Sequence, residues 1–175
     1  MGRKINGNLA SGTTGQMCFE NFELLSRLRL QVSVGDLTLV HPNNQFLSFA
    51  SKRLDKDENY IFDVVGHGAA TYMELFIDGR VKKIDHRFLA RMLKHNSDFK
   101  KYKGVRLLSC NTGSSPDGFA QHLANKLGVP VYAPDTYYFA NEKGVHFAAP
   151  MKSDNTPDYS RKRQLQKFVP GGKRK

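Results

Sequence analysis

Only two of the 175 residues are cysteine, Cys18 and Cys110, and none is tryptophan. Two thiols cannot build the disulfide framework of a small secreted domain, and free thiols suit a reducing compartment. The opening stretch MGRKINGNLASGTTG has no apolar segment of the kind a secretory signal carries. No apolar run approaches the ~20 residues that a bilayer-spanning helix needs. These shortages exclude a disulfide-stapled module and a helical membrane protein. They point to action in a cytosol, whether that of the maker or of a host.

Acidic residues are also scarce, 16 against 27 Lys and Arg, for a formal charge of +11. The excess is uneven. Residues 161–175, RKRQLQKFVPGGKRK, carry seven basic residues and no acid, leaving a net of +4 over the first 160. Such an end reads as a solvated tail that meets polyanions weakly and without specificity. The aromatic residues form no stacking motif of the kind single-strand binders use.

What is present is a regular alternation of apolar runs and turn signals. Residues 1–15 read as a flexible arm, 16–150 as one α/β domain and 151–175 as a basic, flexible tail. In RLRLQVSVGDLTLV the residues Leu28, Leu30, Val32 and Val34 alternate with polar ones, and Gly35-Asp36 turns the chain into a hairpin. SKRLDKDENY (51–60) reads as a polar loop, and YIFDVV (60–65) as a buried strand that ends at Gly66-His67-Gly68. LFIDGRVKKI turns at Asp78-Gly79. Asp85 caps a helix with Phe88, Leu89, Met92 and Leu93 on one face. VRLLSC (105–110) is a second buried strand, and PDGFAQHLANKLG a helix closed by Gly128. VPVYAP (129–134) is a third core strand, and TYYFANEKGVHFAA a hairpin turning near Glu142–Gly144. Strands alternating with helices predict an α/β sandwich around a largely parallel sheet.

That topology gives two strand ends a chemical meaning. If strands 60–65 and 105–110 run parallel, His67 and Cys110 leave the sheet together at its carboxyl edge, where open α/β sheets bind ligands. A thiolate beside an imidazole is an activated nucleophile. The glycines flanking His67 let backbone approach a substrate closely, and Asn111-Thr112-Gly113 is expected to turn the chain away and leave Cys110 exposed. Cys18, in QMCFENF, reads as packing, and His41, His86, His95, His122 and His146 as surface or satisfied residues. No C-x-x-C or H-x-x-x-H spacing accompanies the pair, so no metal site is expected.

The pairing of YIFDVVGHG with VRLLSC resembles the caspase-like (clan CD) cysteine peptidases. It is most similar to the autoprocessing cysteine-protease domain of large bacterial toxins, clostridial glucosylating and multifunctional RTX. The resemblance spans roughly residues 60–147 and rests on the GHG and SC elements and on VPVYAPDTYYFANEKGVHF as a flap. It implies a three-layer sandwich with helices on both faces and a C-terminal hairpin flap. It also implies Cys110 as nucleophile, His67 as base or ion-pair partner, and the Gly68 and Cys110 N–H groups as oxyanion donors. It further implies a bacterial toxin or effector acting on a protein or peptide substrate. No cofactor is required; inositol hexakisphosphate would be an activator bound by Arg80, Lys82, Lys83, Arg87 and Arg91. Autoprocessing would fall after Leu9, within the arm.

Two other functions remain open from sequence. The same pair could run deamidation or acyl transfer on a host protein. Without any role for the pair, the chain would be a non-enzymatic α/β module holding nucleic acid or another polyanion by its tail.

Overall fold

A computed structural model describes residues 32–33, 36–56 and 58–171. Leu9, Cys18 and the arm lie outside the described residues. A hairpin of β1 (Val32–Ser33) and β2 (Asp36–Thr38) leads into α1 (Gln45–Ala50) and β3 (Ile61–Val65). The hairpin β4 (Met73–Ile77) and β5 (Arg80–Ile84) follows, then α2 (His86–His95), β6 (Gly104–Leu108), α3 (Phe119–Leu127) and β7 (Val131–Ala133). A second hairpin, β8 (Tyr137–Ala140) and β9 (His146–Ala149), precedes β10 (Gln166–Phe168). The fold is mixed α/β. Its main sheet has six strands in the order β1-β2-β3-β6-β7-β10. The four central strands are parallel, and β1 and β10 close the edges antiparallel.

Local chemistry accounts for the elements. Strands β3 and β6 are nearly unbroken apolar runs, as strands covered on both faces must be. The β4–β5 turn uses Asp78 and Gly79 at φ 52° and 72°, the paired positive values of a tight two-residue hairpin. In α2 the Asp85 carboxylate accepts the Phe88 N–H at 2.8 Å, and Leu89, Ala90, Met92 and Leu93 are buried. Gly128 ends α3 at φ 73°, the left-handed cap. Alternation along the strands sets two faces. Phe62 meets Phe99 and Tyr102 on one. On the other, Val65 and Leu108 pack with Ala50 and Tyr138. Among the described residues, no helix is long and apolar enough to cross a membrane.

Two segments differ from the sequence reading. Part of the expected tail is sheet: β10 pairs with β7 through Gln166↔Ala133 and Phe168↔Val131, and Phe168 is buried. Val169 O and Gly171 N bond the side chains of Gln121 and Asn125 on α3. Counting charge hid this, because a single apolar side chain anchors the strand while Gln166 and Lys167 stay exposed, and β7 would otherwise present an open edge. The second is α1, too short for a periodic signal, which Asn44 starts by accepting the Phe46 N–H at 2.9 Å.

The α2–α3 contact yields a pH prediction. The His86 and His122 rings stack with centroids 4.9 Å apart. Burial first, and then the His122 ring, hold the His86 imidazole below its ordinary 6.5. The unfolded chain therefore takes up this proton before the folded one. Stability will be intact above about 6.5 and will fall as the pH drops through that value towards the lowered one. Melting temperatures at pH 7.5 and 5 should show this loss, and His122→Gln should reduce it. An equal loss in both proteins would remove His122 as a cause.

Candidate functional site

The β3–β6 register reads Asp63↔Arg106 and Val65↔Leu108, and the Gly66 N–H donates to Leu108 O at 3.2 Å. Two residues further along each strand come His67 and Cys110, leaving the same carboxyl edge. His67 is exposed, and its own carbonyl accepts the Glu74 N–H at 2.9 Å. Its Nε2 lies 3.2 Å from Asn44 Nδ2, and its ring centroid is 6.0 Å from that of Phe46. Phe46 also packs on the cluster of Ala50, Val65, Leu108 and Tyr138, against which Cys110 packs as well.

Gly68 makes the close approach between the two strand ends possible. A Cβ there would stand 2.7 Å from Thr112 Cγ2 and 3.2 Å from Cys110 O. Gly68→Ala should cost about 1–3 kcal/mol of overpacking, read as a lower urea midpoint. An unchanged midpoint would show that the loops yield freely. Among the described residues, no backbone carbonyl takes the Gly68 or Cys110 N–H. Both oxyanion candidates therefore keep their donors.

Cys110 is not exposed as the sequence reading expects. Its thiol is half-buried, with the Tyr138 N–H donating to Sγ at 3.4 Å. Burial pushes the thiol up and the Tyr138 N–H only partly reverses this. The turn that follows is laced down rather than turned out. Asn111, at φ 59°, donates its N–H to Thr136 O, Gly113 N–H goes to Pro134 O, and buried Ser109 and Thr112 hydroxyls lie 2.9 Å apart. The segment after β7 thus covers the sulfur, which alternation along β6 could not reveal.

Beneath this edge runs a polar chain that sequence reading missed. Asp63, fully buried, accepts from Arg53 Nε and Arg106 Nε, each at 2.7 Å. Arg106 also holds Asp55 at 2.5 Å, and Asp55 lies 2.7 Å from His146 Nε2. His146 Nδ1 in turn pairs with the Tyr138 hydroxyl. His146, read as a surface or satisfied residue, is satisfied at both nitrogens. Burial would raise the Asp55 carboxyl, but the Arg106 guanidinium and His146 outweigh it and hold it below the carboxylate range.

The polyanion candidates fall into two exposed groups. Arg80, Lys82 and Lys83 lie on β5, with Lys83 Nζ 4.3 Å from the Tyr72 ring, and Arg87 and Arg91 lie one turn apart on α2. A cavity of about 420 Å³, lined by Asn59, Ile61, Arg106, Tyr132, Gln164 and Leu165, touches neither His67 nor Cys110. Among the described residues no three His, Cys, Asp or Glu gather as a metal site needs.

The family described as "Domain of unknown function (DUF8616)" matches residues 35–148, well over half of the chain. The chain belongs to the DUF8616 family. None of the curated proteins matches it. The DUF8616 match runs from β2 to β9 and so takes in Asn44, His67, Gly68, Cys110 and the polar chain from Arg53 to His146. It stops before β10, the strand that the basic end adds to the sheet.

Proposed function

We propose that this DUF8616 chain is a cysteine peptidase of caspase-like architecture, with Cys110 as nucleophile and His67 as its proton-transfer partner. The observation that carries the reading is the register of β3 and β6, which brings His-Gly and Cys to one edge of adjacent parallel strands. The Gly68 approach to Cys110 O supports it, as do the two uncommitted N–H groups. In this reading the β8–β9 hairpin serves as the flap.

In this reading Cys110 Sγ attacks the carbonyl carbon as its proton passes to His67. The tetrahedral oxygen accepts from the Gly68 and Cys110 N–H groups. The C–N bond then breaks, the proton goes on to the leaving nitrogen, and water hydrolyses the thioester to restore the thiol. The covered, protonated sulfur makes the described state a resting one. A substrate, or a polyanion such as inositol hexakisphosphate on the β5 and α2 cations, would have to lift Tyr138 from Sγ. The effector role and cleavage after Leu9 belong to the same proposal.

The test is covalent trapping by a peptidyl electrophile, located by mass spectrometry, with and without inositol hexakisphosphate. Labelling of Cys110 that is lost in His67→Ala supports the pair. Labelling indifferent to His67 under both conditions overturns it. A substrate gaining about one dalton without chain cleavage would assign the same pair to deamidation instead.

A further inference from the structure

We propose that Asn44 is a positioning residue that holds His67 with its proton on Nδ1 and its one lone pair occupied. The polarity of the Asn44 amide is decided by the helix it caps. Asn44 Oδ1 accepts the Phe46 N–H at 2.9 Å, so the oxygen end is committed to the first turn of α1. Turning the amide over would set its NH₂ against that backbone N–H and remove the cap. The end presented to the imidazole, 3.2 Å from Nε2, is therefore the NH₂ group, which can only donate.

A neutral imidazole has one N–H and one lone pair. Facing a donor, Nε2 must be the acceptor, and the proton must sit on Nδ1. The opposite tautomer would bring two N–H groups head to head. The rest of the geometry fixes both partners. Asn44 N donates to His41 O at 2.9 Å and Asn44 O accepts from Ser48 N at 3.2 Å, which pins the residue at both backbone groups. Phe46, two residues on, lies against the His67 ring, and the Glu74 N–H holds the His67 carbonyl.

The consequence rests on the dyad reading. With Nε2 occupied and Nδ1 protonated, the resting ring has no lone pair free to receive the Cys110 proton. That proton can move only after Asn44 lets go. The capping turn of α1 is thus a latch on the base, alongside the Tyr138 cover on the thiol. The Asn44 cap of α1 sets the protonation pattern of a residue 23 positions away.

The experiment is a long-range ¹H–¹⁵N correlation spectrum of the full chain above the ordinary imidazole titration range. The His67 signals among the six histidines are assigned by their loss in His67→Gln. The expected spectrum has Nδ1 protonated and Nε2 bare. Asn44→Asp keeps the capping acceptor but offers the ring a carboxylate, so the proton should move to Nε2. Asn44→Ser also keeps the cap but does not reach the ring, and the two tautomers should both appear. Far-UV circular dichroism checks that both variants stay folded. Trapping of Cys110 in Asn44→Ser should be about 2- to 10-fold faster than in wild type, the span that one net hydrogen bond covers.

A wild-type Nε2–H or an Asn44→Asp spectrum like that of wild type overturns the proposal, and so does unchanged or slower trapping in Asn44→Ser where trapping needs His67. The tautomer is read without substrate, so it is independent of catalysis. If trapping ignores His67 while Nδ1–H persists, the peptidase reading falls and the Asn44 assignment remains. If trapping needs His67 but Nε2 bears the proton, the reverse holds.

Discussion

Asp63→Ala will lower the free energy of unfolding by about 3–5 kcal/mol. The carboxylate is fully buried, and two guanidiniums converge on it: Arg53 Nε at 2.7 Å, and Arg106 through Nε at 2.7 Å and Nη2 at 2.8 Å. The Arg53 side chain is only 1% exposed and that of Arg106 only 15%. Removing the carboxylate takes away the counter-charge that these two buried guanidiniums share. Arg53 would keep its bond to Ala50 O, and Arg106 its bond to Asp55. Neither offsets the desolvation of two positive groups side by side. Against a total of roughly 5–15 kcal/mol for a domain, the loss is a large fraction. Urea unfolding followed by circular dichroism should show a midpoint lower by at least ~1 M with an unchanged slope. A midpoint within error of wild type would mean that water reaches this cluster and screens it. Asp63→Asn, which keeps two acceptor lone pairs, should cost less than Asp63→Ala.

The second large effect concerns turnover. If the proposed peptidase reading holds, Cys110→Ala will reduce the rate on a cleaved peptide to background, because the neighbouring Ser109 and Thr112 hydroxyls are buried and bonded to each other. His67→Ala will lower kcat by about 10²–10⁴-fold, the range that general acid–base transfer contributes. The residual rate comes from the nucleophile and the N–H donors, which His67→Ala leaves in place. KM should move little, since the imidazole transfers a proton and does not anchor the peptide. Both variants should melt close to wild type: His67 is exposed, and Cys110→Ala removes one half-buried atom. An unchanged kcat in His67→Ala would require another proton acceptor. His146 would be the first to check, because its chain of contacts ends at Tyr138, which bonds the sulfur.

Much of the fold could be read in advance. The runs YIFDVV, VRLLSC and VPVYAP are buried strands because mostly apolar segments must be covered on both faces, and three of the four parallel strands come from them. Asp78-Gly79, Asp85 and Gly128 act where local backbone energetics alone suffice, at a turn, a cap and a helix end. The placement of His67 and Cys110 at one sheet edge was also legible, since it needs only parallel strands and a crossover long enough to join them.

The remainder depends on segments far apart in the chain. Arg53, Asp55, Asp63, Arg106 and His146 are scattered over three strands and a loop, and no spacing rule joins partners such as Asp55 and His146, 91 positions apart. The β10 strand was masked by the charge around it, though one buried Phe168 and an open edge on β7 decide its place. The state of the candidate site is the clearest case. Composition and register bring a thiol and an imidazole to one edge, because periodicity follows from backbone geometry alone. Whether the sulfur is bare or covered, and which ring nitrogen carries the proton, follow from Tyr138 and Asn44. Those residues reach the site only when β8 and α1 pack against β3 and β6. Burial and hydrogen-bond polarity are properties of that packing, and only the folded chain has them.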